Sequence, residues 1–405
     1  MLQLSFVRFK KGTYLFVEGK ADQGFFYIIQ NGYVDCHSQD SVPGAPTRFG
    51  PGDFVGVISC MSNHAHVESV IAATDVVAIL VRKEQYSDLI AQNTPVAMKI
   101  IRSFAGRMRV LNEQMMRQTM KSSAVPSPEQ IFSVANCYEK LGKLDIATYA
   151  YYHYLKACPK GMYFPEAKAR FIALKPHSHA VYFEPTADLV REYPRDTMIF
   201  SEFQSGADMF IIQAGQVKIS KVVNGNEVTL ALLKKGDMFG EMALLENMPR
   251  SASAIANEPC QLMTVNHQNF DKMVATQPQL ISRLTNTFAE RIWSMYRQLA
   301  NTQLTDPLQK LFDMLALQME KNRAVIASRV AHHTDLTPQD LATMCGLTKE
   351  QQSKSLYDFV KSKLISVEAP SNKIIIRDTG ELAKEVQFNR NTLRRLREHE
   401  EHLNR

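Results

Sequence analysis

Short runs of alternating hydrophobic and polar residues, separated by Gly, Asn and Pro, occur twice along the chain. Residues 13–34 read TYLFVEGKADQGFFYIIQNGYV, and residues 197–219 read TMIFSEFQSGADMFIIQAGQVKI, with a similar order of aromatic, aliphatic and turn positions. A period of two predicts short half-buried strands, and the turn residues between them favour antiparallel pairing. Each copy therefore predicts a small β-roll or barrel.

The repeat continues into a second pair of segments. Residues 51–72 and 235–256 align without a gap, so that Gly56 and Gly240 are 184 positions apart. Similarity within one chain over this length indicates one structural unit that occurs twice. The chain is thus predicted to contain two copies of the same roll.

A different period follows each copy. In residues 94–121 and 278–301 a helical stretch is predicted, and the second has apolar side chains at steps of three and four. Its stripe consists of Ile281, Leu284, Phe288, Ile292, Met295 and Leu299. A stripe of this kind is a natural seam for pairing with another helix.

Small and aromatic residues alternate at helical spacing between the two copies, in residues 128–174, after a Ser- and Pro-rich linker at 122–128. This segment resembles a tetratricopeptide unit followed by one more helix. The resemblance rests on Leu141, Gly142, Ala147, Tyr154, Ala157 and Pro159. Because one such unit cannot cover its own apolar face, a hairpin docked on a barrel is favoured over a peptide-binding groove.

The C-terminal part carries helix-turn-helix signals. Thr337 and Pro338 predict a helix start, Gly346 a turn, and Thr348 the cap of a second helix. Residues 366–378 then predict two short strands around a Pro-Ser-Asn turn, which is typical of a wing.

These segments together predict an α+β chain. It comprises two β-roll domains joined by a helical hairpin, followed by a winged helix-turn-helix domain. The predicted boundaries are 1–121 for the first roll and its helix, 122–178 for the hairpin, 179–301 for the second roll and its long helix, 302–380 for the winged domain and 381–405 for a charged helical tail.

Composition narrows the functional classes. A content of 45% hydrophobic and 22% charged residues is ordinary for a globular protein, and no uncharged apolar run is long enough to span a membrane, so a cytoplasmic location is expected. The six cysteines form no CxxC pair, which leaves no signal for zinc or a disulfide framework. No nucleophile–base set or glycine-rich nucleotide loop stands out, so we do not expect an enzyme.

One segment of the second copy combines unusual chemistry. Residues 239–253 read FGEMALLENMPRSAS. In this apolar run Glu241 directly follows Gly240 and stands nine residues before Arg250, which Ser251 follows. Glycine lets backbone amides approach an anion, a guanidinium adds charge-assisted hydrogen bonds, and a carboxylate accepts from a hydroxyl. This combination suits a small anion that carries a sugar.

The segment resembles the phosphate-binding cassette of cyclic nucleotide-binding domains. The resemblance implies that Glu241 accepts from the ribose 2′-hydroxyl and that Arg250 and Ser251 bind the cyclic phosphate. Backbone amides near Met242 and Ala243 would contribute, and cyclic AMP or cyclic GMP would be the ligand. A Glu–Arg pair that merely closes a loop over the core is the alternative.

The purine contact is less typical of that family. Its transcription factors read adenine with a Thr-Ser pair on the long helix, whereas this chain has Met295 and Tyr296 there. Tyr296 or Trp293 could stack on a purine. Packing at a helix interface is the equal alternative for both rings.

The first copy lacks the same chemistry. Val57 aligns with Glu241, and His66 aligns with Arg250. We therefore expect that the first roll does not bind a cyclic nucleotide in the usual way. His64 and His66 could pair as metal ligands, although two histidines on a turn are more often solvent-exposed, and no metal is expected.

The order of segments over about residues 180–380 resembles the Crp/Fnr family of bacterial transcription regulators. A roll comes first, then the long helix, then the winged domain. The resemblance implies that the second helix of the winged domain enters the major groove of double-stranded DNA, with Lys349, Glu350 and Lys354 at the reading positions after Thr348. Lysine cannot reproduce the fork of arginine, so base specificity would differ. The segment 301–405 holds 16 Lys and Arg against 14 Asp and Glu, which is balanced for a DNA-binding module.

A ligand-responsive transcription regulator is therefore the leading hypothesis. The helix at 278–301 would form the seam of a homodimer, or the two rolls of one chain would pair with each other through 94–121 and 278–301. The alternative function is a nucleotide-sensing protein-interaction module whose helix-turn-helix domain no longer binds DNA.

Overall fold

Two rolls with the same strand order contain most of the described strands. The computed structural model describes residues 5–38, 47–120, 127–184, 186, 188–223, 225–242, 249–266, 269–270 and 278–403. The strands of the first roll are β1 (Ser5–Phe9), β2 (Tyr14–Phe16), β3 (Phe25–Asn31), β4 (Val34–His37), β5 (Arg48–Phe49), β6 (Phe54–Val55), β7 (Ser69–Ala72) and β8 (Val76–Arg82). Those of the second roll are β9 (Val190–Tyr193), β10 (Met198–Phe200), β11 (Met209–Ala214), β12 (Gln216–Val223), β13 (Asn226–Lys234), β14 (Met238–Phe239), β15 (Ser253–Ala256) and β16 (Cys260–Val265).

Each roll consists of two four-stranded antiparallel sheets. The orders β1-β8-β3-β6 and β2-β7-β4-β5 in the first roll correspond to β9-β16-β11-β14 and β10-β15-β12-β13 in the second. Turn glycines occupy equivalent places, and both Gly56 and Gly240 have a φ of +79°, a backbone conformation that favours glycine. The predicted pair of rolls and the mixed α+β class are therefore confirmed.

Helices follow each roll. The first roll carries α1 (Val57–Ser62), α2 (Tyr86–Gln92) and α3 (Thr94–Met120). The central segment folds into α4 (Gln130–Lys140), α5 (Leu144–Ala157) and α6 (Phe164–Leu174), and the second roll is followed by α7 (Pro278–Thr302).

The long helix α7 packs against the first roll of the same chain. Its stripe residues Ile281, Phe288 and Ile292 are buried in one cluster with residues of α1, α2 and α3. Tyr86 on α2 also shares a hydrogen bond of 2.7 Å with Thr285 on α7. The stripe is thus covered within the chain, which favours the intrachain pair among the two pairings that the sequence left open.

The central helices dock on the second roll. Their aromatic core shares one cluster with Met198 and Ile255 of that roll. Lys143 of the central segment forms an ion pair with Glu227 on β13. Glu227 also pairs with Lys218 on β12, where Nζ and Oε1 are 2.7 Å apart. The segment is therefore a docked helical hairpin with an additional helix, and the contacts given above attach it to the second roll.

Helices and a small sheet form the C-terminal part. Its elements are α8 (Pro307–Lys321), β17 (His332–His333), α9 (Pro338–Met344), α10 (Lys349–Lys361), β18 (Ile365–Glu368), β19 (Lys373–Ile376) and α11 (Thr379–Leu403). Thr337 and Thr348 cap α9 and α10 as predicted, each accepting from a backbone N–H three residues on. The segment expected to be a tail belongs to a helix that packs on α8, because Leu382 and Val386 are buried there.

Candidate functional site

The turn after β14 brings a glycine and a carboxylate to the edge of the second roll. Gly240 ends the strand with its positive φ, and Glu241 follows it with only 3% of its surface exposed. A side chain at residue 240 would meet the Arg250 guanidinium, because an added Cβ would lie 2.7 Å from Nη1. Glycine is therefore needed here for both the backbone conformation and the close approach of arginine.

Arg250 lies across the same turn and is almost fully buried. Its Nη1 donates to the Gly240 carbonyl oxygen at 2.7 Å, and its guanidinium carbon lies 4.1 Å from the centre of the Phe200 ring. On the other side it faces Gly206, where an added Cβ would come within 2.7 Å of Nη2. Two glycines and one aromatic ring thus shape a slot for one guanidinium.

The electrostatic setting of Arg250 favours an anion. Burial lowers the pKa of Arg250 to about 10, while the charges of Asp208 and Glu241 oppose that shift. The group is therefore still charged at neutral pH. Within the part of the chain that the structure describes, its buried Nε has no hydrogen-bond partner. A buried charged donor without a partner fits an anionic ligand, since leaving such a group unpaired is costly.

Glu241 is held by a residue that the sequence reasoning missed. Arg291 on α7 forms an ion pair with Glu241 Oε1, and its Nη2 donates to the Met238 carbonyl oxygen at 2.7 Å. The carboxylate is thereby fixed to the long helix. A sequence signal existed, because Arg107 on α3 stands 184 positions earlier.

The remaining predicted ligand residues are dispersed. Ser251 is exposed next to Arg250, and Met242 packs partly buried against the core. Ala243 lies outside the described residues. Burial raises the pKa of Tyr296 to about 12, and the charges that act on this ring belong to Arg107 and Glu68 of the first roll. Tyr296 is buried in one cluster with residues of the first roll, which supports the alternative that this ring packs at a helix interface.

The first roll keeps the frame of this turn with other side chains. His66 lies over Phe16 at 4.4 Å between ring centres, as Arg250 lies over Phe200. The backbone N–H of His66 donates to the backbone carbonyl oxygen of Lys20 at 2.9 Å. The equivalent bond of the second roll runs from the backbone N–H of Arg250 to the carbonyl oxygen of Gln204. Burial lowers the pKa of His66, so the ring is neutral at neutral pH.

Residues of the chain itself fill the corresponding space in the first roll. Arg107 Nη1 donates to both carboxylate oxygens of Glu68 at 3.1 Å. The cavity beside this pair measures only about 20 Å³. A nucleotide needs several hundred Å³, so this cavity is too small to hold one.

The two histidines after α1 have separate contacts and are not exposed. The His64 ring stacks on Trp293 of α7 with 3.6 Å between centres, and its Nε2 lies 2.8 Å from Glu290 Oε2. This corrects the expectation that the pair is solvent-exposed. Within the described ranges no cluster of three metal-ligating side chains is found.

The residues predicted to read DNA lie on or beside α10. Thr348 caps this helix, and the side chains of Glu350 and Lys354 are exposed on it. Lys349 is its first residue, and nothing is described of its side chain. Ser355 and Phe359 face inward and attach the helix to the C-terminal core.

Among the described helices none is long and apolar enough to cross a membrane.

Comparison with known proteins agrees with the geometry of the two turns. The profile of the cyclic nucleotide-binding domain matches residues 6–93 and again residues 190–277. A CRP-like cAMP-activated global transcriptional regulator of Mycobacterium tuberculosis is 28% identical over 200 residues, which are 48% of this chain and 87% of the relative. The cyclic AMP receptor protein of Thermus thermophilus is 27% identical over 182 residues, which cover 43% and 78% of the two chains.

A shorter match involves a protein of another kind. The cAMP-dependent protein kinase regulatory subunit of Mycosarcoma maydis is 30% identical over 99 residues, which are 23% of this chain and 19% of that relative. These matches and the duplicated turn lead to one assignment. The chain carries two cyclic nucleotide-binding domains in tandem and is a relative of the Crp-like regulators.

Proposed function

We propose that the second roll binds a cyclic mononucleotide and that the chain is a ligand-responsive, DNA-binding transcription regulator. The observation that carries the proposal is the buried turn in which Gly240, Glu241 and Arg250 meet, with a guanidinium Nε that has no partner among the described residues. Relatives described as cAMP-activated regulators support the same ligand class. Cyclic AMP and cyclic GMP both fit this chemistry.

Each residue has a defined part in the proposed complex. Arg250 would bind the cyclic phosphate through charge-assisted hydrogen bonds, with the amides near Met242 and Ala243 and the hydroxyl of Ser251. Glu241 would accept from the ribose hydroxyl with a carboxylate oxygen. Because Glu241 is bound to Arg291, occupation of the site changes the partners of a residue on α7.

A polar network connects α7 to the C-terminal part. Asn301 at the end of α7 donates to Asp313 on α8 at 3.0 Å, and Arg390 on α11 donates to the same carboxylate through Nε at 2.6 Å. Asp313 is only 3% exposed. A ligand that favours one position of α7 would thus favour one position of the winged helix-turn-helix domain, provided that it binds the two arrangements with different affinity.

Contact with DNA would come from α10. In the proposed complex this helix enters the major groove, with Lys349 and Lys354 donating to guanine and Glu350 accepting from cytosine. Since the stripe of α7 is covered within the chain, the proposal involves one reading helix for each pair of rolls and no homodimer through that stripe.

Calorimetric titration with cyclic AMP and cyclic GMP tests the ligand. We expect saturation at one nucleotide per chain and a loss of affinity of at least about 100-fold in Arg250→Ala, since several charge-assisted hydrogen bonds are lost. His66→Ala is the matched control, because it removes the residue at the same place in the first roll. Unchanged affinity in Arg250→Ala would exclude the cassette as the site.

Selection of DNA fragments with and without each nucleotide tests the output. We expect enrichment of a defined sequence only when the ligand is present, and a binding constant that falls with salt. The double variant Lys349→Ala and Lys354→Ala should lose the enrichment, whereas Lys168→Gln on α6 should keep it. If the double variant selects the same fragments, α10 does not read DNA.

The second candidate function is a nucleotide-sensing protein-interaction module. It is favoured by the near balance of charge in residues 301–405. In that case the calorimetric result stays as expected, while no fragment is enriched under any condition.

A further inference from the structure

A cleft lies between the central helices and the second roll, and Glu241 is not among the residues that line it. It measures about 420 Å³ and lies between α5, residues 182–184 and the loop from Gln204 to Asp208. Cavities of this size hold small organic ligands. The cleft is far larger than the cavity beside Arg107 in the first roll, and of the residues proposed to bind the nucleotide only Arg250 lines it.

The floor of the cleft contains the guanidinium of Arg250. Nη1 is bound to Gly240 on the nucleotide side, whereas Nε and Nη2 face Gly206, which lines the cleft. The Nε is buried and has no hydrogen-bond partner among the described residues. The backbone of Gly206 packs on this side of the guanidinium, since an added Cβ would lie 2.7 Å from Nη2 and 3.0 Å from Nε.

The walls suit a flat ring. Tyr152 and Phe183 meet at 5.0 Å between ring centres, and Tyr182 meets Tyr193 at the same separation. All four rings line the cleft. Aromatic walls bind planar groups through offset stacking and edge contacts.

The charges that line the cleft leave a positive excess. Lys156 Nζ lies 2.7 Å from Glu184 Oε1, so these two charges neutralise each other. Arg191 and Arg250 then stand against the single carboxylate of Asp208. An anion is therefore favoured over a cation or a neutral ligand.

We propose that this cleft binds a small aromatic anion, a flat ring that carries a carboxylate, sulfonate or phosphate group. The anionic group accepts from the Arg250 guanidinium at the floor of the cleft, and the ring lies between the aromatic walls. Since Arg250 also serves the nucleotide turn, the two ligands share one guanidinium and weaken each other. Binding in the cleft does not depend on the proposed function, whereas the coupling rests on it.

The binding test uses the full chain and anilinonaphthalene sulfonate, an aromatic anion whose fluorescence rises on burial. We expect a saturable signal with one high-affinity site per chain. Ala207→Trp, at an exposed position on the cleft wall, should weaken it by about 10-fold through steric filling, and Lys168→Gln outside the cleft should not. Equal affinity in Ala207→Trp and the parent, or no saturable site, overturns the proposal.

Two further measurements keep the result interpretable. Unfolding midpoints of Ala207→Trp and the parent are compared, and Ser205→Trp, at a second exposed wall position, replaces a variant that fails to fold. Cyclic AMP is then titrated with and without saturating anilinonaphthalene sulfonate. We expect roughly 3- to 10-fold weaker nucleotide binding when the cleft is occupied, with the reciprocal effect on the probe.

The outcomes separate the two claims. Unchanged cyclic AMP affinity at saturating probe overturns the shared use of Arg250. If cyclic AMP does not bind at all, the proposed function fails, and the effect of Ala207→Trp on the probe still decides whether the cleft is a site.

Discussion

The two rolls share one frame and differ in the polar groups placed on it. Both have a glycine at φ +79° before the turn, and both place a cationic or ionisable side chain over a phenylalanine. In the second roll that side chain is a charged arginine beside a buried carboxylate. In the first it is a neutral histidine, and Val57 stands in place of Glu241.

This difference shows that the frame does not depend on ligand chemistry. Packing of the ring and the glycine turn holds the backbone in both copies, since the bonds between the turn and the loop after β2 or β10 are the same. The first roll has instead acquired an internal ion pair, Glu68 with Arg107, where the second has Glu241 with Arg291. One copy is thus suited to a ligand and the other to packing against α7.

The largest expected effect comes from the seam between the rolls. Phe288 is 1% exposed in that seam, so Phe288→Ala should reduce the free energy of unfolding by about 4 kcal/mol through the cavity it leaves. Denaturant unfolding measures the loss. Asn286→Ala, at an exposed position of the same helix, should change it by less than about 0.5 kcal/mol. A small effect of Phe288→Ala would mean that the rolls do not pair in solution.

The two equivalent arginines should differ in stability and in function. Arg107→Ala leaves Glu68 buried without its partner and should cost about 3 kcal/mol. Arg291→Ala should cost about 1 kcal/mol, because Arg291 is one-third exposed and Glu241 keeps the nearby charge of Arg250. Arg291→Ala should alter nucleotide affinity and Arg107→Ala should not. Thermal unfolding and calorimetry on both variants measure the two effects, and the reverse ranking in either would contradict the assignment of roles.

A buried carboxylate in the second roll gives a pH dependence. Burial raises the pKa of Glu202 to about 7 from 4.5, although Lys221 opposes the shift. Below pH 4.5 the Glu202 carboxyl group is protonated in both the folded and the unfolded chain. As pH rises toward 7 only the unfolded chain releases the proton, so stability falls by roughly 2 to 3 kcal/mol and then stays level.

Glu202→Gln should remove this component of the pH profile. Chemical denaturation at several pH values between 4 and 8 measures it as the difference between parent and variant. Glu18→Gln, at the half-buried equivalent position of the first roll, is the control and should change the profile less. Parallel profiles for parent and Glu202→Gln would show that this carboxylate titrates normally.

The smallest expected effect concerns the stack between the rolls. His64→Ala should cost about 1 kcal/mol, since it removes an aromatic contact with Trp293. Trp293 is the single tryptophan of the chain, so its emission reports directly on this contact. His37→Ala, which alters an exposed histidine, should leave the emission unchanged. Identical spectra for His64→Ala and the parent would contradict the stack.

Much of the fold was predictable because each copy of the repeat carries its own short-range pattern of strands and turns. The spacing of 184 residues relates Gly56 to Gly240 in the sequence and in the structure, and the alternating pattern gave the strands. The caps at Thr337 and Thr348 were predictable for the same reason, since a cap involves only neighbouring residues. The buried state of Glu241 and Arg250 also followed from the apolar run around them.

Long-range orientation was not predictable. Whether Tyr296 faces the second roll or the first depends on the rotation of α7 about its axis, and packing on α3 fixes that rotation. Arg291 was missed because its partner Glu241 is 50 positions away. The cleft beside Arg250 depends on how the central helices dock, which rests on pairs such as Lys143 with Glu227.

The pairing of the rolls within one chain has a consequence for how the protein responds to its own concentration. Two halves joined by a covalent linker meet at a fixed effective concentration, so the pair cannot dissociate on dilution. An assembly of separate subunits would lose its seam as its concentration falls. With ligand chemistry in only one half, the titration curve should follow a simple hyperbola at any protein concentration.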